Sequence, residues 1–307
     1  MIIVTGGAGF IGSNLIEGLN RIGIEDITLV DDVNTTNKKN IKNLKYKKQY
    51  SIKEFIRLIN KNQIRKIDCI FHQGACSNTL ENRVDYILEN NFNYSKKLLD
   101  FSIKKNIQFI YASSASVYGK SIDTTEKIEN ENPLNLYAIS KLLFDNYVRS
   151  KLNSKNQITG LRYFNVYGKN ESHKKNMASV IFHFSKQLKN TNQVKIFGKS
   201  LGYKNGEHKR DFIHVDDVIS VNLWFFKVKK SGIYNVGTGK AVSFNKVAKF
   251  LSKDFTKSKI SYIPFPKKLL KFYQSYTKAN INSLKSIGYK KKFLNLKEGV
   301  SKYLYEN

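Results

Sequence analysis

Apolar residues along this chain fall into short unbroken runs, separated by longer stretches in which they recur every three or four positions. The first pattern suits strands buried on both faces and the second amphipathic helices. Read this way, Met1 to Thr5 is a strand and the next segment a helix ending near Ile22; a second strand spans 27–31, and a polar loop leads to a short helix near 52–62. Ile67-Asp-Cys-Ile-Phe71 is the third strand, a long amphipathic stretch covers 81–104, and Ile107-Gln-Phe-Ile-Tyr-Ala112 is the fourth. A helix near 136–152 leads into the strand Gln157-Ile-Thr-Gly-Leu-Arg-Tyr163. Strands alternating with helices imply right-handed crossovers, hence an α/β fold with a Rossmann-like, doubly wound parallel sheet. Beyond residue 168 the regularity breaks up, with 202–206 a loop and a helix starting at Asp216, the expected N-cap. With three prolines and no linker among them, any second domain must be closely stitched to the first.

The first turn carries chemistry. Gly7, Gly9 and Gly12 satisfy G-x-G-x-x-G, and Gly6, Gly9 and Gly12 satisfy G-x-x-G-x-x-G. Glycine is therefore available where a backbone must turn sharply, meet a pyrophosphate or pack closely, and the helix that follows presents free N–H groups to the anion. An acid about 20 residues on should hold the ribose hydroxyls, and Asp31 and Asp32 close the second strand. A nucleotide cofactor follows from strand, glycines, helix, strand and acid in register.

Composition adds mainly exclusions. The 307 residues can bury a full core without staples. Cys69 and Cys76 form neither a redox pair nor a zinc pattern, and the five histidines show no close ligand spacing, so no metal is expected. No secretion signal is recognisable and no run approaches the ~18 apolar residues of a membrane span, which points to the cytoplasm and away from a membrane partner. A net charge of +29 invites a nucleic-acid reading. The lysines, however, are scattered as pairs and triples without a basic arm, as general drift in composition would leave them. No nucleic-acid partner is expected; a nucleic-acid binder on a retained dinucleotide fold is the remote alternative.

Between residues 114 and 174 lies a catalytic constellation. Tyr137 and Lys141, four residues apart at the start of a helix, share one face. A neighbouring ammonium and a cationic nicotinamide would both favour phenolate and bring the phenol, ordinarily near ~10, toward a working range. Ser114, in Tyr111-Ala-Ser-Ser-Ala-Ser-Val-Tyr-Gly119, sits just past a strand's carboxyl end, where doubly wound sheets bind ligands. Its hydroxyl can orient a substrate alcohol.

The glycine turn, the serine motif, Tyr-x-x-x-Lys and Arg162-Tyr-Phe-Asn-Val-Tyr-Gly168 resemble the extended short-chain dehydrogenase/reductase family of nucleotide-sugar enzymes, the NAD-dependent epimerase/dehydratases. Within it, Phe71-His-Gln-Gly-Ala-Cys-Ser77, His173-Lys174 before Met177-Ala-Ser-Val180, Arg210-Asp-Phe212 and Tyr273-Gln274 resemble the ADP-L-glycero-D-manno-heptose 6-epimerases over essentially the whole chain. That resemblance implies an isomerase converting ADP-D-glycero-β-D-manno-heptose into its L-glycero epimer through a 6-keto sugar and tightly bound NADP, for lipopolysaccharide core synthesis. It also implies an NADP-binding Rossmann domain over 1–168, to which part of 212–238 returns, a smaller substrate-binding domain mainly over 169–307, and a homopentamer.

By the same resemblance, Tyr137 and Lys174 are the two acid/base groups, Ser114 aligns the substrate and Lys141 assists. Gly6, Gly9, Phe10, Ile11, Gly12, Asp31, Asp32, Lys38, Lys53, Gln73, Gly74, Ala75, Cys76, Ser77, Asn90, Lys141, Val166 and Lys174 contact cofactor. Asn165, Asn176, His183, Phe197, Gly198, Lys199, Ser200, Arg210 and Tyr273 hold the ADP-heptose. On pattern alone, His183 equally suits a packing role, Phe197 and Tyr273 ordinary core, and Lys174 a solvated surface. Asp31 and Asp32 alone favour NAD; Lys38 and Lys53 could offset them and accept the 2′-phosphate of NADP. The segment 42–51 lacks an acidic pair common among relatives, and the loop between Ser200 and Arg210 is longer than in many. A UDP-hexose 4-epimerase is the alternative activity, sharing the Ser/Tyr/Lys set but not the His173-Lys174 context.

Overall fold

The computed structural model describes residues 1–34, 37–64 and 66–306. In chain order its principal elements are β1 (Ile2–Thr5), α1 (Phe10–Arg21), β2 (Ile27–Val30), β3 (Lys48–Tyr50), α2 (Ile52–Asn60), β4 (Cys69–His72), α3 (Val84–Leu88) and α4 (Tyr94–Lys104). They continue with β5 (Gln108–Ser114), α5 (Leu136–Arg149), β6 (Ile158–Tyr163), β7 (Asn165–Tyr167), α6 (Val180–Thr191), β8 (Gln193–Phe197), β9 (Lys209–His214) and α7 (Val215–Val228). The chain closes through β10 (Gly232–Val236), β11 (Ala241–Ser243), α8 (Phe244–Ser252), β12 (Lys259–Ile263), α9 (Asn282–Ser286) and α10 (Leu296–Glu306).

Among the described residues the main sheet has seven strands in the order β10-β6-β5-β4-β1-β2-β3, and its pairings are parallel. The expected doubly wound sheet is there. Its strands read as continuous apolar runs because both faces are covered: on β5, Ile110 enters one core, whereas Phe109 and Tyr111 enter the core on the opposite face. Strand order reverses at β1, which pairs with β2 on one side and β4 on the other. Such a switch point leaves a crevice beyond the carboxyl ends of the strands. Register aligns those ends, with Thr5 opposite Val30 and His72, and Ser114 opposite Tyr163.

The helix that carries the Tyr-x-x-x-Lys pair is tied to this sheet by a buried ionic cluster. Asp145 of α5 accepts hydrogen bonds from the Tyr111 hydroxyl (2.8 Å), the Ser113 hydroxyl (2.9 Å) and Arg162 Nε (2.9 Å). Arg162 is fully buried and also pairs with Glu131, which in turn meets Arg149. A buried pair of this kind adds little net stability against an apolar substitute but is costly to break, since one charge would be left alone. It fixes the rotation and height of α5 against β5.

The remaining chain forms a three-stranded sheet β11-β9-β7 and the pair β12-β8, with α6, α8 and α10 packed around a separate apolar cluster that includes Ile181, Phe184, Val247 and Tyr303. β10 returns to the edge of the main sheet beside β6.

Three sequence expectations need correction. The stretch 81–104 is not one helix, because residues Glu89–Asn93 form a π-helical turn between α3 and α4. Lys48–Tyr50 pairs with β2 as an edge strand that its polar residues conceal. The helix expected to start at Asp216 starts at Val215; His214 is its N-cap, accepting a hydrogen bond from the Asp216 N–H, while Asp216 pairs with Lys302 of α10. Among the described residues no helix is long and apolar enough to cross a membrane, and no group of three or more His, Cys, Asp or Glu side chains is arranged to hold a metal.

Candidate active site

At the switch point the glycine turn admits no side chain where it is tightest. Gly6 has φ +66°, and a Cβ there would stand 2.6 Å from the Gly74 Cα; a Cβ on Gly12 would stand 2.0 Å from the Gly6 carbonyl oxygen. The turn and the segment after β4 therefore meet backbone to backbone. Gly9 is the N-cap of α1 and offers no side-chain cap, so the first N–H groups of that helix remain available to an anion. Asp31 braces the turn by accepting a 2.9 Å hydrogen bond from the Ala8 N–H, and burial raises its pKa. Asp32, more exposed, accepts from the N–H of Ile52 at the start of α2.

A cavity of about 800 Å³ opens from this turn along the carboxyl ends of the main sheet. Gly6, Gly9, Phe10, Ile11, Gly12, Asp31, Asp32, Gln73, Gly74, Ala75, Cys76, Ser77, Asn90, Ser114, Tyr137, Lys141, Val166 and Lys174 all line it, as do Asn165, Asn176, Arg210 and Tyr273. Lys38 and Lys53 do not; both are exposed, each next to a lining residue, Asn37 and Ile52 respectively. His183 also lies outside the lining, its ring hydrogen-bonded to backbone of Asn176 and Ala178 and edge-on to Phe182. Phe197, Gly198, Lys199 and Ser200 are not among the lining residues. Phe197 packs on Phe265, which packs on Tyr273, and the Ser200 hydroxyl lies 3.2 Å from Nε2 of His208, whose ring meets Tyr273 edge to face. A second groove of about 890 Å³ runs along Lys290-Lys291-Lys292 and contains none of the candidate site residues.

Ser114 ends β5; its hydroxyl accepts a 3.2 Å hydrogen bond from the Ser116 N–H and lies near enough to the Tyr137 phenol to favour its charged form. Burial nevertheless raises the phenol's pKa, with Ser114 pulling the other way. Lys141 is not among the groups that lower it; the expected effect paired that ammonium with a cationic nicotinamide. The Lys141 ammonium stands 6.0 Å from the Tyr137 ring centroid and donates instead to the Ala112 carbonyl, at 2.9 Å. Burial brings Lys141 down to about 8, opposed by the Asp145 charge one turn further along α5.

Lys174 reaches the cavity from the segment between β7 and α6, with its ammonium 5.6 Å from the centroid of the Phe10 ring. Burial lowers its pKa, opposed by Glu171. Arg210 of β9 lies 4.8 Å over the Tyr273 ring, a pairing that holds a desolvated guanidinium at the cavity wall. Asn165 donates to the Asp211 carbonyl and to Thr277 Oγ1, each at 3.0 Å.

Two contributors escaped the sequence reading. Asn91, fully buried in the π turn, accepts from the Cys76 N–H (2.7 Å) and donates to the Cys76 carbonyl and the Ser140 hydroxyl (3.0 Å each), so it clamps the segment after β4 to α5. The expected residue, Asn90, lines the cavity and donates to the Tyr86 carbonyl. Only the displaced turn tells the two asparagines apart. His208, buried against Ser200 and Tyr273, sits in the loop whose length hid its role.

Residues 2–237 match the NAD dependent epimerase/dehydratase family. The chain belongs to that family. It is 47% identical to a protein of Brachyspira hyodysenteriae named ADP-L-glycero-D-manno-heptose-6-epimerase, covering 99% of this chain and 96% of that one. Its fold is similar to the crystal structure of the Helicobacter pylori ADP-L-glycero-D-manno-heptose-6-epimerase, with a TM-score of 0.87 and 32% identity over 99% of this chain and 95% of that chain. It is also similar to a UDP-glucose 4-epimerase of Thermotoga maritima solved with UDP-glucose, with a TM-score of 0.83 and 26% identity over 99% and 97% of the two chains. The family's cofactor is a nicotinamide dinucleotide, and the side-chain-free cradle formed by Gly6, Gly12 and Gly74 fits one. Gly12→Ala should weaken dinucleotide binding at least about tenfold, since a Cβ must displace the Gly6 carbonyl; fluorescence titration measures it, and unchanged affinity in the folded variant would contradict the cradle.

Proposed function

We propose that this protein is an ADP-heptose 6-epimerase, an isomerase that interconverts ADP-D-glycero- and ADP-L-glycero-D-manno-heptose through a transient 6-ketone. The heptose epimerases of B. hyodysenteriae and H. pylori support the substrate. The observation that carries the reading is that Tyr137, on α5, and Lys174, on the segment after β7, line one cavity from different elements.

A bound nicotinamide dinucleotide supplies a hydride acceptor and donor. The protein's own task is then to move the hydroxyl proton at carbon 6, once as the alcohol becomes ketone and once as the ketone becomes the other alcohol. A single fixed phenol cannot readily address both epimers. In this reading the heptose side chain turns about its bond to the ring, so that one epimer's hydroxyl meets Tyr137 and the other's meets Lys174. Ser114, which lines the cavity with Tyr137, aligns the hydroxyl, and Lys141 holds the cofactor ribose. Arg210, Tyr273, Asn165 and Asn176 bind the ADP-heptose, and His183 and the Phe197 to Ser200 strip support that wall. Residues 1–168 with the returning strand β10 then form the cofactor domain, and 169–307 mainly the substrate domain. A cytoplasmic homopentamer completes the reading.

Incubation with ADP-D-glycero-D-manno-heptose deuterated at carbon 6 should yield the L-glycero epimer with the label retained. Tyr137→Phe and Lys174→Met should each slow it by about 10²–10⁴-fold, with cofactor binding largely kept, and Ser114→Ala by less. Normal turnover by folded Lys174→Met would return that lysine to the surface, and loss of deuterium to water at the rate of epimerisation would contradict hydride transfer.

For the cofactor we propose NADP, with the exposed Lys38 and Lys53 offsetting the repulsion that Asp31 and Asp32 exert on a 2′-phosphate. Titrating cofactor-free protein with each nucleotide should favour NADP, and Lys38→Ala/Lys53→Ala should narrow the preference. A preference for NAD would remove both lysines from the site.

A further inference from the structure

Between β7 and α6 the chain makes a compact loop, residues 168–179, around one carboxylate. Glu171 is 2% exposed. Its Oε1 accepts hydrogen bonds from the Gly168 N–H (3.2 Å) and the Ser179 hydroxyl (2.9 Å), and its Oε2 accepts from the Ser179 N–H. The two ends of the loop are thereby fastened to one side chain. The Glu171 carbonyl also accepts from the Lys174 N–H at 3.0 Å, starting the short 3₁₀ turn over Ser172–Met177. Immediately after Lys174 the chain passes through Lys175 at φ 50° and ψ −120°, a conformation that residues with a Cβ rarely adopt. Such backbone persists only where its surroundings over-determine it.

Those surroundings are polar and specific. Asn40 Nδ2 donates to the Ala8 carbonyl of the glycine turn (3.0 Å) and to the Asn170 carbonyl (3.3 Å), and His173 Nδ1 lies 3.0 Å from that same Asn170 carbonyl. Asn14 of α1 donates to the Lys169 carbonyl, and Asn170 donates to the Ser13 hydroxyl, each at 3.1 Å. The loop is thus anchored on α1 and the glycine turn, beside the Phe10 ring that Lys174 approaches. Charged or titratable groups facing Lys174 are Glu171 and His173, and His173 also faces Lys39.

We propose that Glu171 is the positioning residue for Lys174, its buried carboxylate closing the 168–179 loop at both ends while supplying, among the described residues, the countercharge to the lysine ammonium. This rests on the reading of Lys174 as the second acid/base group. Glu171 does not line the cavity, so it acts through Lys174 and not on substrate. Two consequences separate it from ordinary scaffolding. Removing its charge leaves the Lys174 ammonium desolvated without compensation, so Lys174 must release its proton at lower pH. Keeping the charge but shortening the side chain must spoil placement without that displacement.

Competitive acylation of the cofactor-free protein, read by peptide mass spectrometry across pH, reports the Lys174 titration directly, and the pH profile of epimerisation reports it in turnover. In Glu171→Gln the Lys174 midpoint should fall by about one pH unit, the matching limb of the kcat profile should move with it, and dinucleotide affinity should stay within about twofold. In Glu171→Asp the midpoint should stay at the wild-type position while kcat drops at least about tenfold. This second variant retains the charge if the first fails to fold. An unmoved Lys174 midpoint in Glu171→Gln, or full kcat in Glu171→Asp, overturns the proposal while leaving Lys174 itself intact. Full turnover by Lys174→Met would instead remove the reading on which it rests.

Discussion

The site depends on a contact between two backbones. Where β1 turns into α1, the chain lies so close to the segment after β4 that Gly6 and Gly74 leave no room for a Cβ between them, and Gly12 is pressed on the Gly6 carbonyl. That contact is possible only at the switch point of the sheet, where β1 has β2 on one side and β4 on the other. It leaves the N-terminus of α1 bare at the mouth of the cavity, and it sets the floor against which every other group is placed. Asp31 is recruited to hold the turn itself, through the Ala8 N–H, which explains why one of the two strand-end acids is largely buried and the other exposed.

From that floor the cavity is furnished by two independently anchored elements. On one side α5 is locked to β5 and β6 by Asp145, Arg162 and Glu131, and to the segment after β4 by Asn91. Tyr137 and Lys141 inherit their positions from that lock. On the other side the 168–179 loop is locked to α1 by Asn14 and Asn170, to the glycine turn through Asn40, and to itself by Glu171. Both anchors are buried carboxylates on the same element as the lysine they influence: Asp145 opposes the effect of burial on Lys141, and Glu171 does so on Lys174. Buried ammonium groups whose pKa values are tuned in this way are where acid/base chemistry near neutral pH is expected.

The parallel sheet was legible because a strand covered on both faces writes itself as an apolar run, and the glycine turn because its residues are constrained by backbone and not by packing. Tyr137, Lys141 and Ser114 were legible through spacing, one helical turn and one strand end. The edge strand Lys48–Tyr50 was not, since its side chains are polar and its identity comes only from pairing with β2. The π turn at Glu89–Asn93 was not, because an extra residue in a helix leaves the apolar pattern nearly unchanged while turning Asn91 inward as the clamp. Lys174 reads as one more lysine in a lysine-rich chain; only the family resemblance singled it out, and its half-buried position beside Phe10 is a product of tertiary structure. Phe197 to Ser200 were singled out by resemblance alone; Phe197 and Ser200 reach Tyr273 only through Phe265 and His208, contacts that no spacing in the sequence announces.

The central claim is that two acid/base groups, one on each anchored element, serve opposite epimers of one alcohol. Single-turnover reduction of the bound dinucleotide, followed by its absorbance on mixing with each purified epimer of ADP-heptose, tests this most directly. The account requires a crossed pattern, in which Tyr137→Phe loses the fast reduction with one epimer and Lys174→Met loses it with the other. Both variants failing with the same epimer, or Lys174→Met reducing at the wild-type rate with both, would contradict it.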